Sequence, residues 1–457
     1  MEQLVIFTPI ITPRLTYTIL VCTEYLSHVK VELTDNPQYF STVMGIKWSY
    51  GQIFEDALCI YADGLLWQDN ITDQDWYQEG LFIWRTKDVC GQFHVSIDIF
   101  SAIFYLISRY EEYLPYNPDI HGRMPAQQHT LVKYNLHRKA VVHHYWEFVL
   151  DASFRFFGYH IPVKYPVYTA KVTFDLDHPF EFLHKPYLIN LYGFTKDLYK
   201  GDWKTFARRF KTLFGKTPDR FYTFEYIFKQ LQIHQRSSIW FILASQQHPL
   251  DSRHNIDQKF YLNLIDKIMQ NSGEVGLHAS YLTAMEYAHF FTEGIQFQNI
   301  PQQAQAYPYQ KLCKEKLSLE KLVPYVITKN RQHFLRVKFP TTYQNLIEAG
   351  FLEDYSVGYF DEVGFRAGIA VPYPFFDLKK NKIEKNLTLY PLVCMDISLQ
   401  QYLRYTPEQA KAVSQQLIEE VKSVNGTFIT LWHNNNLHNE QEWAGWREVF
   451  EYQLSIM

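Results

Sequence analysis

From residue 167 to residue 431 one pattern recurs: a short β-branched and aromatic run, then a longer stretch with apolar residues three and four positions apart. The runs read as strands and the spaced stretches as amphipathic helices. Strands are expected at Ala170–Phe174, Ser238–Leu243, Glu274–Leu277, Phe334–Lys338, Gly368–Val371, Thr388–Leu392 and Thr427–Leu431. Helices are expected between them at Phe206–Thr212, Tyr222–Leu231, Gln258–Ile268, Gln310–Val323, Tyr343–Ala349 and Pro407–Ser423. The last opens on Thr406-Pro407, a cap followed by a proline suited to the first turn. Alternation of this kind makes neighbouring strands parallel. The second unit, residues 166–457, is therefore expected to be an α/β barrel or near-barrel of about seven β/α repeats.

Residues 1–165 read as a smaller α/β unit. Leu4–Phe7, Val29–Leu33 and Trp48–Tyr50 look like strands, Leu15–Cys22 like a strand or a helix, and Ala57–Leu66 like a buried apolar segment. A helix is expected from Asp98 to Tyr113, stopped by Pro115, and another around Val141–Phe157. Arg109, Glu111 and Glu112 fall at the end of the first and read as helix-end charges, the favoured reading, or as groups packed against the second unit.

Composition narrows the function classes. The 457 residues are enough for two or three domains, and 47% are hydrophobic, so a full core is available. Aromatics reach 17%, serving either as core or as faces that stack on sugar rings. Net charge is −4 without a long basic run, which argues against a nucleic-acid partner. The short basic stretch from Lys200 to Lys211 reads as a solvated helix face, with weak contact to an anionic surface as the alternative. Five scattered cysteines (Cys22, Cys59, Cys90, Cys313 and Cys394) with no CxxC pair argue against a disulfide framework or a cysteine zinc site. The N-terminal segment, cut by Pro9 and Pro13, reads as a first strand and not as a signal peptide, and no apolar run is long enough for a membrane span. A cytoplasmic protein is the expectation.

Chemistry concentrates where the strands end, the place α/β barrels use for function. The first strand stops at Asp175-Leu-Asp177-His178-Pro179. Strand residues two apart share a side, and two carboxylates so placed repel unless a cation or a proton lies between them. The pair reads either as a metal site with an adjacent base or as a helix cap beside a solvated acid. Glu274–Leu277 leads into His278, Phe334–Lys338 carries Arg336 and Lys338, and Thr427–Leu431 runs through Trp432 into His433 and three asparagines. Acid, imidazole, cation and imidazole at successive strand ends make a site the better reading of the set.

In this order the motifs resemble those of the polysaccharide deacetylase superfamily, carbohydrate esterase family four. Thr173-Phe-Asp175-Leu-Asp177 resembles its Thr-Phe-Asp-Asp-Asp motif, Gly276-Leu-His278-Ala-Ser its histidine motif, and Arg336-Val-Lys-Phe-Pro340 its arginine–proline motif. Asp354-Tyr-Ser356 is similar to the Asp-Ser element that follows, and Leu431-Trp-His433-Asn434 to the terminal histidine motif. Gly364–Gly368, Pro372–Asp377, Met395-Asp396, Ile107–Pro115 and His121–Arg123 resemble a Bacteroidetes subgroup carrying an N-terminal domain of unknown function.

The resemblance implies a distorted (β/α)7-type barrel and a metal-dependent hydrolase that removes acetyl or other N-acyl groups from a glycan or amino sugar. Zinc is the implied divalent ion. Asp175 would be the general base, Arg336 its orienting cation, and His433 the general acid. Asp177 and His278 would bind the metal, while Tyr281, Arg366 and Trp432 would contact substrate. One departure matters: the superfamily's second metal histidine, four residues after the first, is Leu282 here. His178 is the first substitute, with His248 and His254 as alternatives. Should none reach the ion, the fold would serve as a silent carbohydrate-binding or assembly protein.

Overall fold

The structure, a computed structural model, describes residues 4–85, 91–244, 248, 250–251, 258–284 and 300–457. Cys90 and His254 lie outside them. The first unit is built on a parallel sheet of β1 (Leu4–Phe7), β2 (Val31–Thr34), β3 (Lys47–Tyr50) and β4 (Leu58–Ile60), in the order β2-β1-β3-β4. A small hairpin of β5 (Tyr77–Glu79) and β6 (Phe82–Trp84) stands beside it. The segment that could be strand or helix is the helix Pro13–Leu20. Thr12 caps it by accepting from the Leu15 amide, and Pro13 occupies the first turn at no hydrogen-bond cost. Val141–Phe157 is helical as expected, ending at Gly158 in the left-handed region (φ 78°) that glycine adopts without strain.

The helix expected over Asp98–Tyr113 is shorter. Asp98 caps it, it runs Ile99–Ile107, and the chain then turns through Arg109 at φ 57° into a 3-10 turn, Tyr110–Tyr113. That left-handed residue turns the acidic and basic groups inward. Arg109, Glu111 and Glu112 are buried, so they are not helix-end charges. Arg109 bonds Glu112 and the Arg366 carbonyl, Arg366 reaches Glu112 at 2.6 Å, and Glu111 holds His129 at 2.8 Å. Burial alone would raise the Glu111 carboxyl, but His129 and Arg109 outweigh it and bring the pKa down to about 2. These charges tie the first unit to the second.

The second unit carries nine strands: β7 (Thr169–Leu176), β8 (Ser238–Leu243), β9 (Gly273–Ala279), β10 (Lys329–Gln332), β11 (Glu353–Asp354), β12 (Tyr373–Asp377), β13 (Lys382–Leu389), β14 (Cys394–Met395) and β15 (Thr427–His433). Their order is β12-β13-β11-β10-β9-β8-β7-β15-β14, parallel throughout except for β12 at one edge. Strands three intervals apart would lie about 14 Å from each other on a flat sheet. Arg331 of β10 nonetheless bonds Asp175 of β7 at 2.9 Å, so the sheet curls tightly. Its concave face encloses a small apolar core that includes Phe241, Tyr355, Met395 and Leu431. Among the described residues no pairing joins β14 to β12, so these pairings give a curled, open-ended α/β sheet and do not draw a closed seven-repeat barrel.

Three expected strands are displaced; of Thr388–Leu392 only Thr388 and Leu389 are strand, at the end of β13. Gly368–Val371 is irregular, and the neighbouring strand is β12. Phe334–Lys338 is not a strand either. The strand there is Lys-Asn-Arg-Gln, a polar run that propensity disfavours. Distant partners hold it in place: Asn330 bonds Asp354, Arg331 bonds Asp175, and the Gln332 backbone amide bonds Ser356.

Candidate active site

Three strands deliver the central acids and imidazoles. In β7 the alternation turns Thr173, Asp175 and Asp177 to the concave face, while Phe174 and Leu176 pack outward. The register sets Asp175 beside His433 of β15, and His278 of β9 beside Arg331 of β10. Beyond β10 the chain leaves strand geometry. Phe334 and Leu335 both have positive φ (61° and 53°), a conformation that strains non-glycine residues, and this bend presents His333 to the same space.

Asp177, His278 and His333 thereby converge. Their donor atoms lie within 4.8 Å of one another. His278 Nε2 is 3.1 Å from Asp177 Oδ1, and His333 Nε2 is 3.7 Å from Asp177 Oδ2. Donors on a tetrahedral zinc, at about 2.0–2.1 Å from the ion, are roughly 3.3 Å apart. The remaining ring nitrogens are anchored. His278 Nδ1 lies 3.0 Å from the Arg331 carbonyl, which fixes Nε2 as the nitrogen facing Asp177, and His333 Nδ1 lies 3.0 Å from Asp251. Carbonyl or carboxylate partners of this kind commonly orient metal-binding histidines. Asp177 Oδ1 and His278 Nε2 are buried without a hydrogen-bond partner among the described residues. The donor set and its orphaned atoms fit a divalent cation. Burial disfavours a charged His333, yet Asp177 and Asp251 prevail and raise it to about 9. Metal binding would therefore release a proton there.

Two carboxylate pairs flank this triad. Asp175, 3% exposed, receives Arg331 Nη1 at 2.9 Å, and the same guanidinium bonds Thr173 Oγ1 at 2.8 Å and the Tyr355 carbonyl at 3.1 Å. His433 Nδ1 meets Asp396 at 2.8 Å, while its Nε2 faces Asp177 at 3.7 Å. Burial lowers the His433 pKa, but Asp396 more than compensates and lifts it to about 9. Asp396 is itself fixed by the His433 amide and by Asn436, each at 2.9 Å. Asp175, Asp177, His278, His333 and His433 border a cavity of about 150 Å³ with an apolar wall of Leu335, Met395 and Leu431. Arg123 of the first unit also borders it, held by Asp119 and donating to the Phe334 carbonyl at 2.9 Å.

Asp175, Asp177, His278 and His433 thus come together as the sequence suggested, and five expectations are corrected. Arg336 does not reach Asp175; it donates to the Tyr281 carbonyl at 2.8 Å and lies over the Tyr281 ring, on a neighbouring cavity. Tyr281 stacks on His248 away from the central cavity. Trp432 points to the opposite face of β15, fully buried, with its indole N–H on Gln453; Leu431 and His433 face the cavity instead. Arg366 serves the buried inter-unit network described above. His178 is not in the triad, and its carbonyl accepts from Asn434.

The sequence reading missed Arg331 and His333, which stand two apart like Asp175 and Asp177. That spacing was the available signal, hidden because a polar run was not read as a strand. Asp396 had been quoted in a motif without a role.

The first unit has a known relative in sequence. Residues 4–153 match the model of a family of unknown function (DUF7033). No curated protein matches the chain. Among solved structures, one described as a polysaccharide deacetylase from Mycobacterium smegmatis is 14% identical, with a TM-score of 0.37 over 62% of this chain and 82% of that one. The Bc1960 peptidoglycan N-acetylglucosamine deacetylase is 10% identical, with a TM-score of 0.28 over 62% of this chain and 79% of that one. The peptidoglycan deacetylase PdaC from Bacillus subtilis is 10% identical, with a TM-score of 0.27 over 63% and 83%.

Proposed function

We propose that the protein is a metal-dependent hydrolase that removes an acetyl or similarly short N-acyl group from a glycan or amino sugar. One observation carries this reading: an Asp-His-His donor set with both imidazoles buried lies between an arginine-held carboxylate and a carboxylate-held imidazole. Asp177, His278 and His333 would hold the ion, zinc being the choice that suits two imidazoles and one carboxylate. A divalent cation there would acidify water and polarise the acyl oxygen.

The chain's own groups account for the proton movements. Asp175 accepts the proton of the attacking water, and the Arg331 guanidinium holds its carboxylate in place. His433, charged near neutrality through Asp396, gives its proton to the departing nitrogen as the C–N bond breaks. The products are a free amine and a carboxylate. The cavity of about 150 Å³ and its apolar wall suit a short acyl chain, with the sugar outside. A silent carbohydrate-binding protein is the reading favoured by an incomplete ligand set, and His333 within reach of Asp177 and His278 supports the hydrolase instead.

The test is acetate release from N-acetylated oligosaccharides by metal-loaded protein. Activity is expected in the wild type and loss of about 10²–10⁴-fold in Asp175→Asn. Metal-loaded wild type that releases no carboxylate from any acylated glycan refutes the proposal.

A further inference from the structure

The connection leaving Asp177 forms a helical hairpin, Tyr187–Tyr199 and Trp203–Leu213, whose surface is inverted. Helical residues advance 100° each, so Tyr187, Leu191 and Leu198 share with Leu188, Tyr192 and Tyr199 an outward arc of roughly 140°. All six are exposed, Tyr187 to 76% and Tyr199 to 93%. The inward face of the same helix is polar: Asn190, Gly193 and Asp197 are its buried residues. Arg209 of the second helix reaches across to Asp197 at 2.9 Å and Asn190 at 3.2 Å, over Gly193, where a side chain would strike the guanidinium. The second helix adds Trp203 and Phe210 to the exposed set, and Phe214 follows directly after it. A surface helix of a water-soluble domain normally shows the reverse arrangement.

Charge identifies what covers this face. Residues 187–216 hold seven basic side chains against two acidic ones, in a chain of net charge −4. Lys196, Lys200, Lys204, Lys211 and Lys216 are exposed, and none forms an ion pair among the described residues. Lys204 and Lys211 lie beside the Trp203–Phe210 stripe and also border a groove of about 590 Å³, whose Arg208 and Arg220 are paired with Glu181. A second copy docking by this face would set like charges against each other. Exposed Trp, Tyr and Phe bordered by unpaired lysines match the interface of an anionic bilayer, where aromatic rings sit at headgroup depth and lysines meet phosphates. No described helix is long and apolar enough to cross a membrane, so contact would be peripheral.

We infer that the Tyr187–Lys216 hairpin is a docking surface for anionic phospholipid membranes. The inference stands apart from the hydrolase reading, since no hairpin residue belongs to the Asp175–His433 machinery. The experiment is co-sedimentation of the full chain with vesicles of phosphatidylcholine alone or mixed with phosphatidylglycerol. Binding is expected to the mixed vesicles at low salt, to fall at high salt, and to be weak on phosphatidylcholine. Lys200→Glu/Lys204→Glu should weaken it roughly 25-fold or more, at about fivefold per cationic charge. Tyr199→Ser/Trp203→Ser should abolish it while thermal unfolding and metal content stay unchanged. Failure of the wild type to bind phosphatidylglycerol vesicles overturns the inference, as does unchanged binding by both variants. So does a wild-type dimer that Tyr199→Ser/Trp203→Ser converts to monomer, which would assign the face to a second copy.

Discussion

Replacing Arg331 tests which arginine serves the base. Its guanidinium is fully buried and makes three hydrogen bonds, to Asp175, Thr173 and the Tyr355 carbonyl, while lying 4.5 Å from the Phe241 ring centre. Arg331→Met keeps much of the volume but removes all three bonds. The bonds come from a charged guanidinium, and charge-assisted bonds contribute about 1.5–3 kcal/mol. The larger cost is that Asp175, 3% exposed, loses its guanidinium partner and keeps only His278 Nε2 at 3.5 Å. Breaking one side of a buried pair costs about 3–5 kcal/mol, the total expected here. Asp175→Asn in the same background removes the stranded charge, so the double variant should recover part of that loss. Urea unfolding of wild type, both singles and the double then yields the coupling energy, expected at about 1.5–3 kcal/mol. The parallel cycle with Arg336→Met should give a coupling below about 0.5 kcal/mol, because Arg336 bonds the Tyr281 carbonyl and not Asp175. Stronger coupling through Arg336 than through Arg331 would refute the assignment.

Three further outcomes follow from the same geometry. His333→Ala should lose bound metal by elemental analysis of purified protein, whereas His178→Ala should keep it; the opposite pattern would return the third ligand to His178. Asp396→Asn should retain metal but lower kcat by about 10²–10⁴-fold, since His433 would lose the partner that keeps it charged and oriented. Glu420 accepts from His144 and the Ala140 amide and pairs with Lys139, so despite burial its carboxyl falls to about 2. A carboxyl with a depressed folded pKa stabilises above its unfolded value of about 4.3 and loses that contribution as pH falls toward 2. Glu420→Gln should therefore cost about 1–2 kcal/mol at neutral pH, discounted because Lys139 is half exposed, and the gap to wild type in urea unfolding should close below pH of about 4.

The origin of each site residue explains how far the sequence could be read. Asp175, Asp177, His278 and His433 were legible because each follows an apolar run whose period of two is unmistakable, and strand polarity sends those ends to one rim. Ser238–Leu243, Val141–Phe157 and Pro407–Ser423 were placed to the residue for a related reason. Burial of one face, or a cap such as Thr406, leaves a local signature. Lys329–Gln332 left none, because its stability comes from partners far away in sequence, Asp175, Asp354 and Ser356. Once that strand was missed, Arg336 took the role of Arg331 and His333 had no place.

What the chain alone determined was the α/β alternation, the rim on which chemistry gathers, and the acid and imidazole at the centre of it, all consequences of local period and strand direction. What only the tertiary structure decided was the completion of the set. The curl of the sheet lets β10 reach β7, the left-handed bend at Phe334 turns His333 inward, and Asp396 finds His433. These contacts join residues tens to hundreds of positions apart, and their free energy depends on burial and charge pairing that no local pattern encodes.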